Sequence, residues 1–298
     1  MGIFTALSRM WLTRSVKPFR FTGDYDHKLP YEDCEGLGLY IHIPFCQTLC
    51  TFCPYCKVPY NRELCDRYLD ALLREIHQVG GSSPGKTRVT SLYIGGGTPA
   101  LAAERLGEII RAVEEHFQIT QGIGVELHPA DVTLPTLRAL REAGVTRLSI
   151  GIQSFQPKFQ ALLGRDAVDL PAMSAALAQV PFQTVSMDFI FALPGQRLED
   201  LVADLSAAFA SGANHAAIYP FIDFTFTDSP LRPMPKGEKR RLLDGITRWC
   251  LDQGCTRTSL WTFAREAGAE QPKPKKLSRV MEEYCRRVNQ GLLPTALT

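Results

Sequence analysis

YIHIPFCQTLCTFCPYC, residues 40–56, runs from an apolar β-branched stretch straight into a cluster of cysteines. Cys46, Cys50 and Cys53 are spaced C-x3-C-x2-C, so one tight loop leaving a strand can converge three thiolates on one face of a cubane iron–sulfur cluster. That leaves one iron without a protein ligand. A catalytic cluster needs such an open iron if a cofactor is to chelate it, whereas an electron-transfer cluster normally has four thiolates. Cys56 supplies a fourth thiol, so structural zinc and a closed cluster stand as alternatives, and Cys50, Cys53 and Cys56 match the start of a ferredoxin-like run. Zinc sites usually pair two separated knuckles, and the chain has no second knuckle.

Outward from this segment, short runs rich in Val, Ile, Leu and Tyr alternate with longer segments of helical period, the pattern of repeated βα units. Residues 39–43, 91–94, 125–127, 147–152, 184–190 and 215–219 are the expected strands, all parallel. Leu64, Tyr68, Leu69, Leu72 and Ile76 form one helical stripe, and Leu106, Ile109, Ile110, Val113 and Phe117 another. Residues 133–143, 170–179 and 198–211 read as further crossover helices, with Gly144, Gly195 and Gly212 where turns must fall.

Composition sets the outer bounds. The 298 residues are 45% hydrophobic and 21% charged, enough for one large core with a small appendage. The net charge of +2 comes without a long block of one sign, which argues against a nucleic-acid partner. No apolar run approaches the roughly 20 residues of a membrane span, and no secretory signal opens the chain. Crowded cysteines in a chain of this length indicate metal rather than a disulfide scaffold, hence a reducing compartment, and the expected location is cytoplasmic. Arg9, Arg14, Lys17 and Arg20 precede the first acid, Asp24, so residues 1–35 read as a solvated arm, with an amphipathic surface helix or a transit peptide as alternatives. QPKPKK, residues 271–276, reads as a linker before a short tail containing one polar helix, which divides the chain into an arm (1–35), a core (36–220), an extension (221–270) and a linker with tail (271–298).

SLYIGGGTP, residues 91–99, follows the second expected strand with three glycines that let backbone approach a ligand closely, then the Thr98 hydroxyl. Taken singly, Arg165 reads as a surface charge, Glu126 and Asp188 as helix caps, and Gln153 as a strand-end amide. Together they fall at the C-terminal ends of successive expected strands, where the sites of α/β barrels lie. His128 and His215 read as structural histidines.

With IHIPFC after Tyr40, then GGGTP, VELHP, RLSIGIQSF, LGR and SMDFIFALPGQ in this order, the stretch 36–263 resembles the radical S-adenosylmethionine enzymes like oxygen-independent coproporphyrinogen III oxidase, with the related haem chaperones and haem-modifying methyltransferases. The resemblance implies an α/β fold, a partial (β/α)6 TIM-like barrel. It implies a [4Fe-4S] cluster on Cys46, Cys50 and Cys53, which reduces S-adenosylmethionine to methionine and a 5′-deoxyadenosyl radical that abstracts hydrogen from the substrate.

The family's cofactor-binding positions carry over to Tyr40, Gly96, Gly97, Thr98, Glu126, Gln153, Arg165 and Asp188. Gly97 and Thr98 would lie along the methionine part, Arg165 would pair with a carboxylate, Glu126 and Asp188 would accept from ribose hydroxyls, and Gln153 would serve either end. A tetrapyrrole-like substrate and an electron donor such as flavodoxin or ferredoxin follow from the same resemblance. The activity would be that of a coproporphyrinogen dehydrogenase-like oxidoreductase of porphyrin biosynthesis, with a haem chaperone or a methyltransferase as the other readings. After RTSLWTF, residues 257–263, the family continues into a glycine-rich segment and a covering domain. Here the linker and tail follow, so the C-terminal region is read as reduced and cofactor cleavage is expected to run uncoupled from product unless substrate or a partner supplies a lid.

Overall fold

The computed structural model describes residues 37–81, 86–224 and 229–265. β1 (Leu37–Ile43) leads through the short β2 (Phe45–Cys46) and β3 (Val58–Pro59) into α1 (Arg62–Gly80). β4 (Thr87–Gly96) is followed by α2 (Ala103–His116) and the short β5 (Phe117–Ile119), and β6 (Ile123–Leu127) by α3 (Leu134–Glu142). β7 (Arg147–Gln153) precedes α4 (Pro157–Leu162) and α5 (Leu170–Gln179), and β8 (Thr184–Phe191) precedes α6 (Leu198–Ala210). β9 (His215–Pro220), α7 (Lys236–Asp252), β10 (Thr256–Arg257) and β11 (Thr262–Ala264) complete the described order.

The six expected strands are all present, as β1, β4, β6, β7, β8 and β9, and pair in parallel in that spatial order. Within this six-stranded run each strand lies beside the next one in sequence, with the short β5 alongside β4, and the order does not reverse. This is the winding of a barrel rather than of a doubly wound sheet, in which the strand order turns back at a switch point. Beyond β9 the sheet continues antiparallel through β11 and β10, so among the described residues the ladder is an open arc, the partial-barrel arrangement.

Alternation along each strand separates two faces. Ile41 and Ile43, Leu92 and Ile94, Val125 and Leu127, Leu148 and Ile150, Met187 and Phe189, and Ala216 and Ile218 are buried under the helices. The opposite face carries Tyr40, Tyr93, Glu126, Ser149, Gly151, Asp188 and Tyr219 at alternate positions. Burial of the first set holds the sheet and the helices together; the second set is left to line a site. Ile150 is fully buried at the middle of this core, so Ile150→Val is expected to cost about 1 kcal/mol in a denaturant titration.

The expected crossover helices appear as α3, α5 and α6, and Gly144, Gly195 and Gly212 take positive φ values of 91°, 72° and 103° at the turns after α3, β8 and α6. Two members of the predicted stripes behave differently. Leu64 is 47% exposed, because it lies in the first turn of α1, next to the Asn61 cap that accepts from its amide at 2.9 Å. Phe117 has left the helix and begins β5, which pairs beside β4. The arm at 1–35 and the linker and tail at 271–298 lie outside the described residues. Among the described residues, no helix is long and apolar enough to cross a membrane.

Candidate active site

The cysteine loop is closed by its own small ladder. Phe45 pairs with Val58 and Cys46 with Pro59, with the Val58 amide donating to Pro44 O at 2.8 Å and the Tyr60 amide to Cys46 O at 2.9 Å. Between these ties the loop carries Cys50 and Cys53. The backbone of the glycine loop packs directly onto it: Gly97 N donates to Ile43 O at 2.8 Å and Thr98 N to Phe45 O at 2.7 Å. Glycine is required at 97, since a Cβ there would stand 2.5 Å from Phe45 O. At Gly96, with φ of 124°, a Cβ would meet the His42 ring at 2.8 Å.

Cys46, Cys50 and Cys53 are each partly buried, and they are close enough to act on one another. Burial pushes the Cys46 thiol up, opposed by the Thr98 hydroxyl at 3.9 Å from its sulfur, while Cys53 and Cys50 add to the rise. The Cys50 thiol is also pushed up by burial and pulled down by the Arg165 guanidinium beside it. Such thiols ionise readily only when a cation or metal stands by them. Cys56 is exposed; its carbonyl faces His42 Nε2 at 3.0 Å, and its sulfur acts on Tyr68.

Arg165 sits past the positive-φ Gly164 at the end of α4, and its Nη2 donates to Gly151 O at 3.0 Å at the end of β7. Desolvation lowers its pKa and the nearby thiols, Cys50 first, resist that fall, so the cation is held among the sulfurs. Three spread thiols around a buried cation suit a cluster of several irons. Among the described residues, the ligand atoms gathered within 4.8 Å of one another belong elsewhere, to His77, Glu115 and His116.

Beyond the loop, the open face of the sheet holds two carboxylates. Glu126 accepts from Tyr93 Oη at 2.9 Å through one oxygen and from Gly96 N at 3.0 Å through the other, which orients it and still leaves lone pairs free. Gly95 makes room for it, since a Cβ there would meet the Glu126 carboxylate at 2.9 Å. Asp188 accepts from Ser149 Oγ at 2.7 Å and Ser186 Oγ at 3.3 Å. Burial pushes its carboxyl up to about 6, the serine bonds oppose this, and the Glu126 charge adds to it.

A carboxyl whose folded value lies above its ordinary 3.8 contributes stability fully below that value and loses it as pH rises through about 6. Asp188→Asn should therefore reduce the fall in stability between about pH 4 and about pH 8, by about 2–3 kcal/mol relative to the unaltered chain. Parallel pH profiles would contradict the buried acid.

Gln153 ends β7 with a φ of 70°, a left-handed kink at a register shift opposite Asp188 and Phe189. Its side-chain amide folds back over Gly151, where a Cβ would meet Nε2 at 3.0 Å. Strain of this kind costs about 1–3 kcal/mol and persists where the surroundings impose it. Tyr40 is 58% exposed, stacks on Tyr93 at 6.2 Å and bonds His42 Nδ1 at 3.0 Å. The Cys56 carbonyl can only accept, so Nε2 of His42 carries the ring proton and Nδ1 accepts from Tyr40. His42 therefore ties β1 to the cysteine loop.

All the residues expected from sequence lie on this face or at its C-terminal rim. Sequence reasoning passed over His42, Tyr55, Tyr93 and Tyr219, although Tyr93 was open to detection as the alternate neighbour of Gly95. Tyr55, from the cysteine loop, and Tyr219, on β9, both feel the charges of Glu126 and Asp188, and burial with those charges pushes Tyr219 up to about 12. His128 is driven down to about 4, chiefly by burial and then by Arg165, and its Nδ1 accepts from Ala130 N at 3.2 Å, a structural role. His215 faces Asn214 Oδ1 at 3.2 Å at the far end of β9.

A family model described as the Radical SAM superfamily matches residues 40–208. An oxygen-independent coproporphyrinogen III oxidase from Cereibacter sphaeroides (strain ATCC 17025) is 32% identical over 235 residues, 74% of this chain and 51% of that one. The heme chaperone HemW of Bacillus subtilis (strain 168) is 32% identical over 189 residues, 61% of this chain and 50% of its own. Among solved structures, coproporphyrinogen III oxidase (HemN) from Escherichia coli superposes with a TM-score of 0.68 at 28% identity, covering 77% of this chain and 56% of that one. The chain spans about half the length of the curated relatives it matches.

Proposed function

The chain belongs to the radical SAM superfamily, and from that premise we propose that Cys46, Cys50 and Cys53 hold a [4Fe-4S] cluster whose remaining iron takes S-adenosylmethionine at the open face of the sheet. The observation that carries this reading is the mutual approach of the three partly buried thiols around the buried Arg165, with Cys56 exposed. When bound, the pair supplies a 5′-deoxyadenosyl radical able to abstract hydrogen from a substrate.

The chain's own residues bind and orient. Arg165 pairs with the cofactor's carboxylate, and the backbone of Gly96 and Gly97 with the Thr98 hydroxyl borders its methionine part. Glu126 and Asp188 accept from its ribose hydroxyls, Gln153 closes over one end, and Tyr40 stands beside the cysteine loop.

The substrate we propose is a tetrapyrrole-like molecule, oxidised as by a coproporphyrinogen dehydrogenase. Two of the relatives are named for coproporphyrinogen III oxidation, and the rim of the site presents Tyr40, Tyr55 and Tyr219, 58%, 70% and 44% exposed, as faces on which a flat conjugated ring can stack. The likeness to heme chaperones favours a second reading, in which the same face holds haem without turnover. Methyl transfer is a third outcome of the same radical chemistry. An electron donor such as flavodoxin or ferredoxin, a reducing cytoplasmic setting in keeping with seven free thiols among the described residues, and division into an arm, a core at 36–220, an extension at 221–270 and a tail belong to this proposal.

Reduced, cluster-loaded protein given S-adenosylmethionine is expected to form 5′-deoxyadenosine, measured by chromatography. Its absence with haem retained would favour the chaperone reading. Absence of both iron and 5′-deoxyadenosine would refute the cluster.

A further inference from the structure

At the opposite end of the helices from the cysteine loop, two imidazoles and a carboxylate come together. His77 lies in the last turn of α1, and Glu115 and His116 are the last two residues of α2. The two helices pack side by side, each returning antiparallel to the strands, so both C-termini meet at the strands' N-terminal end. His77 Nδ1 stands 3.0 Å from His116 Nε2 and 3.7 Å from Glu115 Oε2, and all three ligand atoms lie within 4.8 Å of one another. The rings meet edge to face with centroids 5.3 Å apart. Gly80 makes the arrangement sterically accessible, because a Cβ there would strike the His116 ring at 2.4 Å.

We propose that His77, Glu115 and His116 form a second metal site, separate from the cysteine loop, for a divalent ion of the zinc class. Two imidazole nitrogens and one carboxylate oxygen are a donor set that suits zinc, with water in the fourth position. A tetrahedral ion with bonds of about 2.0–2.1 Å holds its ligand atoms about 3.3 Å apart, and the observed 3.0 and 3.7 Å bracket that spacing. In the hydrogen-bonded pair one imidazole donates to the other. Binding requires only that the donating ring move its proton to its other nitrogen, so both rings present lone pairs with no net proton lost. Two helix C-termini meet here, and their partial negative charge favours a cation, as the Lys86 ammonium on Glu114 O at 2.6 Å already shows. The ion would pin the ends of α1 and α2 together.

The test is equilibrium dialysis of the full-length, cluster-loaded chain against zinc alone, with bound zinc and iron measured together and the melting temperature read in parallel. One zinc per chain is expected beyond the iron, with a melting temperature that rises with zinc concentration. His77→Ala and His116→Ala should each weaken zinc binding about ten-fold or more and abolish the rise, with iron content unchanged. A chain with Cys46, Cys50 and Cys53 all replaced by Ala should lose iron and keep the zinc. Zinc binding unchanged in the histidine variants, or lost only with the cysteines, overturns the proposal. If His116→Ala fails to fold, the exposed His77 carries the test by itself.

Discussion

Anaerobically reconstituted protein carrying Cys50→Ser is expected to hold almost no iron, against about four irons per chain in the unaltered protein, whereas Cys56→Ser is expected to keep the full complement. Cys50 is the thiol that Arg165 addresses, and it shares its surroundings with Cys46 and Cys53. On the proposed assignment, removing it takes one of three anchors from a cluster with no fourth protein ligand to spare. Cys56, by contrast, is exposed, and its contribution to the loop is made by its carbonyl, which a serine retains. Iron analysis with the visible absorption of the cluster reads both variants. Equal loss in the two would show that the ligand triplet includes Cys56, and retention by Cys50→Ser would exclude Cys50.

Arg165→Ala is expected to weaken binding of S-adenosylmethionine by about 1.5–3 kcal/mol, the worth of a hydrogen bond to a charged group. The guanidinium is taken out of water, donates to Gly151 O and lies in hydrogen-bond contact with the Cys50 thiol, so a ligand carboxylate would meet a cation already desolvated and oriented. Arg165→Lys should recover only part of the loss, because an ammonium cannot match the planar fork. Titration calorimetry on cluster-loaded protein gives the affinity, and iron content serves as the control, since Arg165 is not a ligand. Unaltered affinity would remove the residue from the site.

The strands were legible because each pairs apolar residues toward the helices with small or polar ones toward the open face, and because helical periods separate them. The thiols, the glycine loop and the acids were legible because spacing and strand-end position carry their chemistry. What escaped depends on the path of the chain through space. His42 looks like an ordinary strand residue until the cysteine loop swings back and sets the Cys56 carbonyl against its ring. Tyr55 and Tyr219 stand far apart in sequence and act on the same two carboxylates only because the cysteine loop and the successive strands β6 to β9 converge on one face. Gln153 holds a left-handed conformation at a position where glycine would have announced it. α7 and the antiparallel pair β10 and β11 follow a stretch with weaker periodicity and complete the sheet by edge pairing, which residue patterns record poorly.

The two-residue ladder joining Phe45–Cys46 to Val58–Pro59 bears on repair. Because the ends of the cysteine loop are tied by backbone bonds that contain no sulfur, oxidation that strips iron leaves those ties intact. Most of the entropy of closing the loop has been spent before any iron arrives, so reassembly need only order the few residues between the knots. On the ligand assignment proposed above, a chain damaged by oxygen keeps the mould of its lost cluster and can be refilled in place, without passing through the unfolded state.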